Sequence, residues 1–188
     1  IPDQGTETTS QGLFNQIKLL DIPQVKNIDY NWLQLDLNFK IKNKLVLFIP
    51  GVSKNGHYKQ WDPVKFSQLA QYCEKKKYQI YVVGTKNDKE SILPIIQKCK
   101  YAVNMMDKSP PEIIYSLSKI SSLIITNDTG PAHIAGLTKK NILWLALDNK
   151  ITKSNISDNS NNYKLLSKNL KNISANDAVE FIENNRLL

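Results

Sequence analysis

The sequence predicts an α/β protein, a Rossmann-like parallel sheet flanked by helices, and three observations carry that prediction. From Leu45 onward, short β-branched runs alternate with amphipathic stretches of helical period, the pattern of parallel strands joined by crossover helices. The candidate strands at 45–49, 80–83, 101–104, 123–126 and 142–145 are short and nearly all apolar, as strands covered on both faces must be. The stretches between them open on helix start signals and repeat apolar residues at i, i+3, i+4 and i+7.

Taken in order, the chain opens with a polar, turn-prone stretch. A short amphipathic helix on Leu13, Ile17 and Leu20 follows, then an extended segment through Trp32 and Leu35. This part reads as a linker. After the first strand, Asp62 and Pro63 suit an N-cap and first helical position, and Phe66, Leu69, Ala70 and Cys73 mark a core face. Ile92, Ile95, Ile96 and Cys99 repeat the spacing, with Pro94 expected to shorten or kink that helix. Ser109, Pro110 and Pro111 open the next helix, which buries Ile113, Ile114 and Leu117. Ser174 with Asp177 makes a capping box for a last helix carrying Val179 and Ile182. Residues 148–162, dense in Asn, Ser, Lys and Asp with two isoleucines, hold too little apolar surface to pack and are expected to form a mobile loop.

Composition narrows the function classes. A chain of 188 residues with 41% hydrophobic and 22% charged residues can bury a core without staples, and its longest apolar runs of five or six residues fall far short of the ~20 that cross a bilayer. Both cysteines lie on core faces with no C-x-x-C, so neither a metal cluster nor a redox pair is indicated and a reducing cytoplasm fits. The chain begins at Ile1, without a signal-like segment, and is expected to be a piece of something longer. The formal charge of +8 favours anionic partners, among them nucleic acid, an acidic membrane surface or phosphorylated metabolites. A compositional bias towards Lys, Asn and Ile discounts part of that signal.

In a parallel sheet ordered 3-2-1-4-5, the ligand crevice lies between the loops after the first and fourth strands. The loop after the fourth strand reads TNDTGPAHIAG, 126–136. Asp128 or Thr129 can cap the following helix, Gly130 lets a ligand approach the backbone, and the free amides suit a diphosphate; an ordinary capped turn fits the same residues. The loop after the first strand, PGVSKNGHYKQW, carries Lys54, His57 and Lys59. Lys59 can offer a point charge to a phosphate with Trp61 packed beneath it, or stand solvated. After the second strand, Asp88 and Glu90 can accept bonds from ribose hydroxyls, or serve as first-turn residues of a helix. His133 reads as an orienting or structural histidine, since no nucleophile elbow, no Ser–His–Asp order and no H-E-x-x-H pattern accompanies it. Two histidines in all exclude a histidine-rich metal site.

Together these loops resemble a known family. P-G-x-S, K-x-W before a helix, G-x-x-x-D-x-E and above all T-N-D-T-G-P-x-H-x-A-G look like the C-terminal half of glycosyltransferase family 9, the ADP-heptose:lipopolysaccharide heptosyltransferases. The similarity covers roughly 45–147, with 10–40 resembling the connection out of an N-terminal domain. The resemblance implies the C-terminal half of a two-domain GT-B enzyme: 1–42 as interdomain linker and remnant of the N-terminal domain, 43–188 as the Rossmann-like nucleotide-sugar-binding domain. It implies that Lys59 contacts the donor diphosphate and that Asp128, Thr129 and Gly130 cradle phosphates and sugar. Ser53 and His133 belong to the same donor-binding set, and Asp88, with Glu90 second, holds the ribose. It further implies inverting transfer without a metal or other cofactor, a carboxylate base in the missing domain, and a fragment inactive alone. The implied partners are ADP-heptose and a lipopolysaccharide or lipid A core acceptor, with peripheral contact at the cytoplasmic face of a bacterial inner membrane. Where the family continues past the fifth strand with a G-P-T-x-P-like turn, this chain has LALDNKITKSN. Two other readings stand beside this one: a GT-B domain for a different nucleotide sugar, and a non-catalytic binding module whose basic surface, with lysines clustered on one face away from the strand ends, engages nucleic acid or membrane. Nucleic acid is not the expected partner, because aromatic residues are not interleaved with the basic ones.

Overall fold

The computed structural model describes residues 8–23, 28–37, 41, 44–157 and 159–188. The parts of the expected 1–42 linker at 1–7, 24–27, 38–40 and 42 lie outside the described residues.

Six parallel strands form one sheet in the order β3-β2-β1-β4-β5-β6. They are β1 Leu45–Ile49, β2 Gln79–Gly84, β3 Val103–Met106, β4 Ser121–Asn127, β5 Ile142–Leu147 and β6 Asn162–Ser167. The first five stand in the expected order. β1 is buried along its whole length, and its pleat sends Val46 and Phe48 to one core and Leu45, Leu47 and Ile49 to the other. Helices α2 (Pro63–Lys75), α3 (Lys89–Lys98) and α7 (Ala175–Asn184) supply the first core, and α4 (Pro111–Ile120) and α5 (Gly130–Gly136) supply the second.

Local chemistry accounts for most of these boundaries. Asp62 Oδ1 accepts from the Val64 amide at 2.7 Å and Pro63 fills the first turn, so α2 starts where expected. Ser174 and Asp177 form the predicted reciprocal capping box of α7. Pro94 does not cut α3 short, because the helix runs on to Lys98; the bond its missing N–H forgoes is to the carbonyl of Glu90, an exposed first-turn residue. Both cysteines are buried as expected, and burial pushes both thiols up, that of Cys99 to about 12.

Several expectations are corrected. The third strand lies two residues later than 101–104, because Tyr101 gives its amide to Glu74 Oε1 and Ala102 closes a turn onto Cys99, leaving Val103 to pair with Tyr81. Ser109 does not cap α4; Pro110 holds that position, and the Ser109 hydroxyl donates to the Met105 carbonyl. In the N-terminal helix, α1 (Thr9–Lys18), the apolar residues Leu13 and Ile17 are exposed, as is Leu20 just beyond it. Thr9 ties α1 to the segment 154–155 by hydroxyl contacts instead.

The largest correction concerns 148–162, which is structured on both sides of residue 158, itself outside the described residues. Asn149 Oδ1 accepts from the Thr152 amide and starts α6 (Lys150–Asn155). Ile156 enters the core, and Asn162 Oδ1 takes the Trp144 indole N–H at the start of β6. Polar anchors do here what apolar periodicity does elsewhere.

Candidate functional site

The carboxyl ends of β1, β2 and β4 open onto a cleft of about 720 Å³ whose wall includes Ser53, His57, Gly84, Asp88, Thr129 and Gly130. This is the crevice beside the sheet's central strands that a doubly wound topology reserves for ligands. A groove of about 510 Å³ between α2 and α7 lies away from these strand ends and is lined by Gln68, Gln71 and Asn176 among others.

One buried amide positions the long loop after β1. Asn127, at the end of β4, donates from Nδ2 to the Pro50 carbonyl at 2.8 Å and accepts the Trp61 amide on Oδ1 at 2.9 Å. Both ends of the 50–61 loop are thereby pinned to the strand next door. Trp61 is fully buried, edge-on to Phe66 at 4.9 Å, with its indole N–H on the Ile173 carbonyl at 2.9 Å. It belongs to the core and is not the platform beneath Lys59 that the sequence suggested. A 3-10 turn at His57–Lys59 then carries the loop's cation inward.

Lys59 points that cation at Asp128. Its Nζ lies 3.4 Å from Asp128 Oδ2, while His133 Nε2 lies 3.3 Å from Asp128 Oδ1. A carboxylate only accepts, so the His133 Nε2 that faces it carries a proton. The Asp128 side chain is 5% exposed, and burial by itself would raise its carboxyl. The His133 hydrogen bond and the charges of Lys59 and His133 outweigh burial and hold the group below its ordinary value. The sign follows: the group stabilises the fold fully above its unfolded value, about 3.9, and loses that contribution as pH falls through the lower folded value. Thermal unfolding across a pH series is therefore expected to show wild type and Asp128→Asn converging in acid and separating above about pH 4.

Thr129 occupies the N-cap position of α5 with extended backbone, but neither its side chain nor that of Asp128 caps the helix. At Gly130 a Cβ would meet nothing within 4 Å, so the protein's own packing does not require glycine there. Gly51 is different, since a Cβ would fall 2.3 Å from Asp88 Oδ1. Asp88 reaches the cleft wall over that glycine while its Oδ2 accepts from the amide and hydroxyl of Thr85 at 2.8 and 2.9 Å. Glu90 remains an exposed residue of the first turn of α3 and is not part of the cleft wall, so the second ribose candidate is not brought to the site. His57 lines the cleft with Nδ1 turned to Gln60 Oε1 at 3.3 Å, and the Gln60 amide donates in turn to Ser91.

Residues 13–179 match the family described as Glycosyltransferase family 9 (heptosyltransferase). The chain belongs to this family. The six-stranded Rossmann-like fold matches that of solved GT-B heptosyltransferases. The glycosyl transferase family 9 protein from Veillonella parvula superposes with a TM-score of 0.76 at 17% identity, over 98% of this chain and 62% of that one. E. coli ADP-heptose lps heptosyltransferase II gives 0.69 at 18%, over 89% and 56%. E. coli heptosyltransferase WaaC with ADP gives 0.62 at 15%, over 77% and 45%. The chain thus spans about half the length of these structures. No curated protein matches it by sequence.

In this family 9 chain the structure draws Ser53, Asp88, Thr129 and Gly130 around one cleft and sets Lys59, Asp128 and His133 as a linked group directly beside Thr129. Sequence reasoning passed over Asn127 and Gly51. Asn127 had a signal, an amide two residues past the apolar run 123–125 at a strand end; the need for glycine at 51 depends on where Asp88 lands, and nothing local announces it. Among the described residues no three His, Cys, Asp or Glu side chains gather as a metal site, and no helix is long and apolar enough to cross a membrane.

Proposed function

We propose that this chain binds the nucleotide-sugar donor of a heptosyltransferase, ADP-heptose, for inverting transfer to a lipopolysaccharide core acceptor. The observation that supports it best is the cleft at the ends of β1, β2 and β4, with the Lys59–Asp128–His133 group beside Thr129. Thr129 and Gly130 would face the diphosphate with Ser53 opposite, Lys59 would supply the positive charge, and Asp88, through the oxygen not taken by Thr85, would accept from the ribose. As the sugar's anomeric bond breaks, negative charge grows on the departing diphosphate. A fixed cation and amides stabilise that charge without a metal. The acceptor base belongs to residues outside this chain, so the chain alone is expected to bind ADP weakly and not to turn over. In the cell this reading places the protein in the cytoplasm, at the inner face of a bacterial inner membrane.

Titration of the chain with ADP, followed by amide NMR shifts, tests the reading. Shifts around Lys59 and Thr129 are expected at millimolar nucleotide, and Lys59→Ala is expected to weaken binding about tenfold or more, the worth of one charge-assisted bond. No perturbation at millimolar ADP would defeat it. A different donor sugar is the second reading, favoured by the departure after β5, where α6 replaces the family's usual turn. Competition among nucleotide sugars against the longer protein separates the two.

A further inference from the structure

We infer that Trp144 on β5 and Asn162 on β6 are positioning residues for the donor site, acting through His133. The inference deepens the donor-binding reading and rests on it for its effect on nucleotide. A histidine ring turns about a broad side-chain torsion, and α5 is seven residues long with no side-chain cap. Neither the residue nor its helix therefore fixes which edge of the ring meets Asp128. Two contacts do so. His133 Nε2 lies 3.3 Å from Asp128 Oδ1, and the ring rests against Trp144, with centroids 5.2 Å apart and planes tilted by 44°. The His133 side chain is 44% exposed and Trp144 is 2% exposed, so an open ring leans on a fixed wall.

What fixes Trp144 lies on β6. Its indole N–H donates to Asn162 Oδ1 at 3.1 Å. An indole can only donate, so the Asn162 carbonyl must face it, and Asn162 Nδ2 is spent on the carbonyl and hydroxyl of Ser157 at 3.0 and 3.2 Å. A continuous line of contacts thus runs from Ser157 through Asn162, Trp144, His133 and Asp128 to Lys59. The end of the stretch 148–162, whose composition suggested a mobile loop, becomes the outer support of the site. Trp144 and Asn162 are not part of the cleft wall, so their reach into it goes through the histidine. With Nε2 turned to Asp128, His133 Nδ1 has no partner among the described residues and is the ring nitrogen left to meet a ligand. A ring free to turn would cost Asp128 its donor and the ligand its contact at once, the reason a binding group needs a supporting layer.

Nitrogen NMR of the imidazole rings, recorded without nucleotide and with the rings neutral, gives the first readout, and His133→Gln assigns the signals. Wild-type His133 is expected to hold its proton on Nε2 alone, and Trp144→Leu and Asn162→Ala are expected to show both tautomers. ADP titration gives the second readout. Trp144→Leu is expected to weaken binding about tenfold, within the range for directly coupled neighbours. Trp144→Phe, which keeps a flat face, is expected to lose much less, and Asn162→Ala, which removes the bond without emptying the core, to lose several-fold. In a His133→Gln background the Trp144→Leu change is expected to cost nothing further, whereas a merely structural tryptophan would cost as much there. Equal losses in the two backgrounds, or a single tautomer retained in both variants, would overturn the inference. Should Trp144→Leu fail to fold, Asn162→Ala carries both readouts, and wild-type tautomer and affinity in that variant would overturn it. A wild type that binds no ADP would instead defeat the donor reading, and the tautomer readout then decides the inference by itself.

Discussion

Replacing Trp61 by alanine is expected to cost about 3–5 kcal/mol, the range for truncating a large buried aromatic. The side chain is fully buried in the core shared by β1, α2 and α7 and packs edge-on against Phe66, so the deletion leaves a void that rigid strand and helix backbones cannot close. Urea unfolding followed by circular dichroism measures the loss. Trp61→Phe is expected to cost much less, because it keeps most of the apolar volume and the Ile173 carbonyl retains Lys65 Nζ as a donor at 2.8 Å. Equal losses from the two variants would show that the indole hydrogen bond, and not packing, carries the effect.

Asn127→Ala is expected to damage stability and binding together. The substitution strands two buried backbone groups, the Pro50 carbonyl and the Trp61 amide, at about 1–3 kcal/mol each. Those groups bound the loop that carries Lys59 towards Asp128, so the ammonium loses its fixed position as well. ADP affinity is expected to fall about tenfold or more, since small misplacements of a binding group are costly. Asn127→Asp offers a sharper comparison, because a carboxylate can still accept from Trp61 but, once ionised, cannot donate to Pro50. Its defect is expected to be smaller in acid than at neutral pH, read by unfolding at both. A variant as stable as wild type that binds ADP normally would remove Asn127 from the site's architecture.

Much of the fold was legible in the residues. Helix starts at Asp62 and Ser174, the apolar periods of α2 and α3 and the order of the first five strands are local or topological regularities, and each was recovered. β6 and α6 were not, because their anchors are single polar contacts such as Asn162 to Trp144 that appear only once β5 is in place. The same division runs through the site. The motif 126–136 pointed to a ligand-facing turn, and Thr129 and Gly130 do line the cleft. Spacing alone did not separate Asp88 from Glu90 and only the family resemblance put Asp88 first; packing over Gly51 brings Asp88 alone of the two to the wall.

Charge separates the two levels of information most plainly. Composition established a surplus of eight positive charges and residue order an alternating α/β pattern, because the one is a sum and the other a period over the chain and neither needs partner residues. Which cation meets which carboxylate was decided only when six parallel strands sent every helix-to-strand turn to one end and every strand-to-helix loop to the other. Electrostatic energy depends on distance, and distances between residues such as Lys59 and Asp128, 69 positions apart, exist only in the folded chain.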